Sequence, residues 1–268
     1  MKTDKAGTAS FGEALSIQGA VFKALLLREM TARFGRDNIG MLWLILEPLI
    51  LASAITAVHL LRGGGHSQGG VQPGMFTLVG YTSFIIFRGL FNRAGNLADV
   101  AMPLLYHRMI TLLDVLIVRT MIEVAGCFSA YLILMTIFIM LDMGALPARP
   151  LYVFAGFALI AWISTAAAMI VAFVSFGRPT VERMLHVFSY FMMPISGAFF
   201  MVEWLPTEYQ KIVVWNPLTV IFETIRYGQF ETASPDFINL GYVLAVTSFL
   251  TYTGLILLRR LRDRIHLA

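Results

Sequence analysis

Of 268 residues, 58% are hydrophobic and only 13% charged, about half the charge density of a soluble domain, in which roughly a quarter of residues are charged. So few charges cannot clothe a water-exposed surface, and the apolar residues fall into blocks of about the 20 residues needed to cross a hydrocarbon core. A soluble enzyme and a secreted domain are thereby excluded, while the formal net charge of +4 raises the question of a nucleic-acid partner that the charge distribution answers below.

From the N-terminus, Lys2 and Lys5 are followed by Glu13, Gln18, Lys23, Arg28 and Glu29, with no compact apolar core and no small-residue cleavage site. This stretch therefore reads as something other than a cleaved signal peptide. Ser10 and Glu13 form an S-x-x-E capping box able to start a helix. Phe11, Leu15, Phe22, Leu26, Met30 and Phe34 then fall largely on one face, with Lys23, Arg28 and Arg33 elsewhere. Residues 1–39 are expected to be a cytoplasmic segment whose helix lies in the interface, apolar side among acyl chains and basic residues among anionic headgroups. Such a helix serves as an orientation anchor or takes part in handling a substrate.

Six apolar blocks follow: Met41–Leu61, Gly74–Phe91, Val115–Leu141, Leu151–Phe176, Met184–Val202 and Ile238–Leu258. Each reads as a spanning helix, giving an all-α integral membrane fold with a six-span domain at 40–258 and a basic tail at 259–268. With residues 1–40 cytoplasmic, that side holds fourteen of the twenty Lys and Arg residues. The opposite side holds four, Arg62, Arg149, Lys211 and Arg226, while Arg88 and Arg119 fall inside spans. The bias places both termini in the cytoplasm and accounts for the basic character without nucleic acid.

Residues 92–111 form the longest cytoplasmic link between spans, and Pro103, Leu104, Leu105, Tyr106, His107 and Arg108 within it offer apolar and aromatic anchors of the kind that dominate interfaces. On the far side, the Gly-rich loop at 62–74 contains G-x-S-x-G at Gly65–Gly69. A nucleophile elbow needs a strand before it and a helix after it, so this match reads as coincidence. Farther on, Pro194 and Gly197 break the fifth block. Asn216 and Pro217 then supply an N-cap and a first-turn proline, and Leu218, Ile221, Phe222 and Ile225 repeat at helical spacing until Gly228. The segment 203–230 is expected to form short amphipathic helices that return into the outer leaflet, which is tolerated only where protein or a water-filled path surrounds them.

No phosphate-binding G-x-x-x-x-G-K-[ST] occurs, so any ATP and Mg belong to another chain, and this one is expected to need no cofactor. The five histidines are dispersed and Cys127 is alone, a pattern that points to no metal site. Charges inside the spans are costly and are usually paired or functional. Glu47 and Arg119 lie at matching depth, roughly 10 Å from the cytoplasmic ends of their spans at about 1.5 Å per residue. Arg88 is shallower and Glu123 deeper. Either the four pair with one another, or the arginines bind phosphate or carboxylate groups of an anionic substrate. Trp43, Tyr81, Phe84, Phe87, Tyr190 and Trp204 are placed to stack on sugar rings or to act as interface anchors.

The run Leu27 to Arg36, with Gly40-Met41-Leu42-Trp43 and Leu46-Glu47-Pro48-Leu49, resembles the lead-in to the first span of ABC-2 type polysaccharide-export permeases, especially the KpsM-like capsule exporters. Trp215-Asn216-Pro217-Leu218-Thr219 with Glu223, Arg226, Gly228 and Phe230 looks like the re-entrant helix of that family. The resemblance implies a type V exporter fold and a homodimeric permease in the bacterial inner membrane. Two separate ATPase subunits would dock on a coupling helix within Asn92 to Thr111, with an adaptor and an outer-membrane protein beyond. The cargo it implies is a lipid-linked capsular polysaccharide. Exporters of O-antigen or teichoic acid are the nearest alternatives. A drug-efflux permease suits the arginine-rich lead-in less well, and a membrane glycosyltransferase lacks its acidic or histidine cluster. The residues this reading singles out for substrate access are Arg28, Arg33, Arg36, Trp43, Glu47, Tyr81, Arg88 and Arg119.

The charge bias generates a topological expectation. In a Cys127→Ser background, single cysteines at 63–70 or at Thr207 react with an impermeant thiol reagent added to intact cells, whereas Thr180→Cys does not. Labelling at position 180 would refute the six-span arrangement.

Overall fold

The computed structural model describes residues 11–34, 39–61, 71–105 and 110–265. The Ser10 cap, the G-x-S-x-G loop, Arg36, Tyr106, His107 and Arg108 lie outside these residues, as do the side chains of Arg33, Trp43 and Leu105. The chain is all-helical, with α1 at Phe11–Phe34, α2 at Ile39–Leu61, α3 at Pro73–Ala94, α4 at Leu97–Leu105 and α5 at Leu112–Met140. Next come α6 at Pro150–Ser175, α7 at Pro179–Ile195, α8 at Thr207–Val213, α9 at Pro217–Gln229 and α10 at Leu240–Ile265, with a 3-10 turn at Val202–Trp204 before α8.

All six apolar blocks are helices, namely α2, α3, α5, α6, α7 and α10. Among the described residues α3, α5, α6 and α10 are long and apolar enough to cross a membrane. The helix starts follow simple chemistry. Prolines occupy the first turns of α3, α6, α7 and α9, where a missing N–H costs nothing and the fixed φ suits a helix. A reciprocal capping box starts α5, in which Asp114 N donates to Thr111 Oγ1 at 3.2 Å and Thr111 N donates to Asp114 Oδ2 at 2.9 Å. The fifth apolar block differs from expectation at both ends: α7 begins at Pro179 and stops at Ile195. Pro194 interrupts the hydrogen-bond ladder there, and Gly197 turns the chain at φ 85°, a left-handed conformation that side chains disfavour.

The central element is α3, which packs against α2, α5, α6, α7 and α9. Leu78, Phe84 and Ile86 on it are completely buried, and Phe84 and Phe87 are core side chains. Hydroxyls in this interior are satisfied within their own helices, as where Thr82 and Ser83 donate to the carbonyls of Leu78 and Val79. In contrast, α7 packs only against α3 and α6 among its stronger contacts and leaves Met184, Val187, Tyr190 and Phe191 exposed.

The helix α9 closes on α6 through Gly228. A Cβ there would lie 2.6 Å from Val153 N and 3.0 Å from Tyr152 C, backbone atoms that cannot rotate away. Gly228→Ala is expected to cost about 1–3 kcal/mol by overpacking and to lower the melting temperature in detergent. Gly12→Ala, with nothing within 4 Å, should leave it unchanged or slightly raised.

Candidate functional site

The first cluster sits at the seam of α2, α3 and α7. Tyr81 donates to Glu47 Oε1 at 2.5 Å, and Arg88 donates through Nη1 to Tyr81 Oη and through Nη2 to Glu47 Oε1, each at 3.3 Å. The spacing of seven residues puts Tyr81 and Arg88 on one face of α3, opposite Glu47 of α2. The pair is only partly covered, with 23% of the Arg88 side chain and 28% of Glu47 exposed. The Arg88 guanidinium also lies 5.1 Å from the ring centroid of Tyr190 on the exposed face of α7. Among the described residues the cluster uses two N–H groups of Arg88 out of the five a guanidinium carries. Its chemistry is therefore a half-open cation beside a flat aromatic face, suited to an anionic oxygen attached to a ring.

The second cluster joins α1, α3 and α5. Arg119, 6% exposed, donates through Nε to Glu29 Oε1 at 2.9 Å and through Nη1 to the Arg93 carbonyl at 3.0 Å. One turn along α5, the buried Glu123 pairs with the Arg93 side chain. Gln18 adds a hydrogen bond to Asp114 Oδ1 at 3.1 Å, and Arg28 reaches the Val100 carbonyl on α4 at 3.5 Å. Of the four span charges expected to pair among themselves, Glu47 and Arg88 do so. Arg119 and Glu123 instead recruit Glu29 and Arg93, because α1 and the C-terminal end of α3 cover that face of α5. Val21, Phe22, Leu25, Leu26 and Met30 form the inward stripe of α1. That stripe includes Phe22, Leu26 and Met30 of the expected face but is centred on Leu25.

The third cluster is on α9. Glu223 and Arg226, one turn apart and both buried, pair at 3.1 Å. Arg226 donates to the carbonyls of Gly197 at 2.5 Å, Ala198 at 2.9 Å and Phe200, while Glu223 accepts from Val202 N at 3.1 Å. The guanidinium stands 4.3 Å from the Phe76 ring centroid. These carbonyls belong to the turn that follows α7, so one side chain satisfies acceptors that no helix supplies with donors. Asn216 and Pro217 start α9 as expected, with Leu218 N donating to Asn216 Oδ1 at 3.1 Å. At its other end, Arg149 donates to the Tyr227 carbonyl at 2.9 Å and lies 4.1 Å from the Tyr227 ring centroid. The apolar repeat expected of α9 is present, and its polar side is covered as well: every residue except Pro217 and Tyr227 is buried, with Glu223 and Arg226 paired to each other.

In the link after α3, Pro103 is exposed and Leu104 packs partly against the core. Sequence reasoning missed Glu29, Arg93, Arg149 and Phe76 as partners, since each pairs with a residue far away in the chain.

Replacing Arg226 by Gln would leave a buried carboxylate and several carbonyls short of donors. Loss of one partner of a buried pair costs about 3–5 kcal/mol, so Arg226→Gln should strongly lower the melting temperature of purified protein. Arg88→Gln, at a half-open site, should barely change it.

Residues 20–230 match the ABC-2 type transporter family. The chain is 31% identical over 251 residues to the capsule polysaccharide export inner-membrane protein BexB of Haemophilus influenzae, an alignment covering 93% of this chain and 94% of that one. It is 32% identical over 251 residues to the capsule polysaccharide export inner-membrane protein CtrC of Neisseria meningitidis serogroup A, covering 94% of each. It is 26% identical over 246 residues to the polysialic acid transport protein KpsM of Escherichia coli, covering 91% of this chain and 94% of that one. The matched stretch runs from the middle of α1 to the end of α9 and takes in the ion pairs of all three clusters, and the chain belongs to the ABC-2 type transporter family.

Proposed function

We propose that this chain is the permease subunit of an ABC transporter that exports a lipid-linked, anionic capsular polysaccharide across the bacterial inner membrane. The observation that carries this reading is the alignment over nearly the whole chain with relatives named for export of capsule polysaccharide and of polysialic acid. In this reading α2, α3, α5, α6, α7 and α10 are the six spans, both termini are cytoplasmic, and the segment 203–230 dips into the outer leaflet. Two copies of the chain associate around a polymer path, and the thinly packed α7 supplies an exposed apolar face that a second copy can cover. ATP and Mg are used by two copies of a separate ATPase docked on α4 and the following residues, where Met102 and Pro103 point outward. A periplasmic adaptor and an outer-membrane protein complete the route.

The roles of the residues follow from their chemistry. Arg28, Arg33 and Arg36 on and just after α1 meet the phosphate end of the lipid-linked polymer at the cytoplasmic leaflet, where arginine binds through two parallel hydrogen bonds. Along the path, Glu47 and Tyr81 hold the Arg88 guanidinium in place, and Tyr190 offers a ring face to a passing sugar. Tight binding would stall a moving polymer, so a partly exposed cation already shared with a carboxylate suits conduction better than a free one.

A deletion strain tests this directly. Without the gene, polymer accumulates in the cytoplasm, and the wild-type chain restores it to the surface. Arg88→Ala should restore about a tenth or less at equal membrane-inserted protein, and Arg88→Lys an intermediate amount, because lysine keeps the charge and loses the planar fork. A deletion strain with normal surface polymer would overturn the proposed export function. Full export by Arg88→Ala would remove Arg88 from the path.

A further inference from the structure

The polar contacts of α1 with α5 do not lie at one depth. Gln18 meets Asp114 in the first turn of α5, and Glu29, eleven residues later, meets Arg119, only five residues farther along α5. At about 1.5 Å per residue these steps are roughly 17 Å along α1 and roughly 8 Å along α5. The helix α1 therefore climbs past α5 at a slope of roughly 30° from the plane across it, from the level where α5 begins to a level inside the bundle. Arg28, adjacent to Glu29, touches the Val100 carbonyl of α4, and four residues separate the end of α1 from the start of α2. One helix thus contacts the candidate docking element and leads into the first span.

These contacts differ in strength. Gln18 and Arg28 are exposed, whereas the Arg119 and Glu29 side chains are 6% and 16% exposed. An exposed polar contact holds geometry weakly, but a desolvated ion pair resists separation because either charge left alone is costly. The same guanidinium holds the Arg93 carbonyl in the last turn of α3, just before α4 begins. Arg119 therefore ties α1 to the α3–α4 joint. The apolar stripe of α1 cannot do this by itself, since apolar contact is non-directional and permits sliding.

We propose that Glu29 and Arg119 are a positioning pair. They set the tilt of α1 against α5 and pass a displacement of α4 to the start of α2, opening the cytoplasmic side of the path only when the docked ATPase moves. Neither residue touches polymer in this scheme, which rests on the reading of α4 as the docking element.

The test uses the full permease–ATPase complex and a charge swap. Glu29→Arg and Arg119→Glu should each cut surface polymer by about tenfold or more, with normal membrane levels, retained ATPase and continued ATP hydrolysis, so that polymer exported per ATP falls. The double variant Glu29→Arg/Arg119→Glu should return export to within about threefold of wild type, allowing for imperfect additivity between neighbouring sites. Spin labels at Ala24 of α1 and Met121 of α5 should give a broadened distance distribution in the single variants and a narrow one in the swap. The proposal is overturned if the double variant exports no better than the singles at equal membrane level. It is overturned equally if export falls only in step with inserted protein or ATP hydrolysis, which would mark a merely structural pair. Failure of the wild-type chain to retain any ATPase would remove the docking reading. In that case the proposed coupling falls, while the spin-label distances still decide whether the pair sets the tilt of α1.

Discussion

A charge that leaves water must bring its partner with it, and in a chain built almost wholly of apolar helices this constraint determines where the few charges go. Separating a buried pair costs several kcal/mol, far more than a surface contact. Arg226 illustrates the consequence. Its guanidinium is completely buried, so the surrounding structure has to supply acceptors, and it does so with Glu223 and the carbonyls of Gly197, Ala198 and Phe200 in the turn after α7. The helix break and the arginine are each unfavourable alone and together form a compact joint. Arg119 obeys the same rule by taking a carboxylate from α1 and a carbonyl from α3.

The degree of burial then separates the three clusters by mechanical character. On α9 the ion pair is sealed, and both ends of the helix are tied to neighbouring segments, at the start by Asn216, which donates to the Ile195 carbonyl, and toward the finish by Arg226 and Arg149. Such an element moves with its surroundings or not at all. The Glu47–Tyr81–Arg88 group is half open, beside a helix with few contacts, and can exchange one partner for another at low cost. The Glu29–Arg119 pair lies between these extremes. It is desolvated enough to hold and is placed on a helix that is otherwise lightly attached. A rigid joint on α9, a yielding seam beside α7 and a linked α1 are the parts that the proposed permease would need.

How much of this was legible in the sequence depends on distance along the chain. All six apolar blocks became helices because length and hydropathy are local properties, and the start of α9 was legible from Pro217 alone. Asn216 as the cap of α9 was equally local. Pairing was not. Position along the helices suggested that Glu47, Arg88, Arg119 and Glu123 could meet, and Glu47 and Arg88 do pair, but position along a helix says nothing about azimuth, and Arg119 turned toward α1 rather than toward Glu47. The α9 helix shows the same limit. Its apolar repeat is legible locally, but the burial of Glu223 and Arg226 beside it depends on their pairing in three dimensions.

The azimuth of Arg119 also bears on how α1 is held. A helix held at the interface by headgroups alone gains about 1 kcal/mol per basic residue and is free to rotate and slide. Here its acidic residue, not its basic ones, makes the desolvated contact, and a carboxylate gains nothing from anionic headgroups. Glu29 would be an unfavourable choice in a simple anchor at a negatively charged leaflet. Its presence is accounted for by the protein's own Arg119, which makes the orientation of α1 a property of the bundle rather than of the lipid around it.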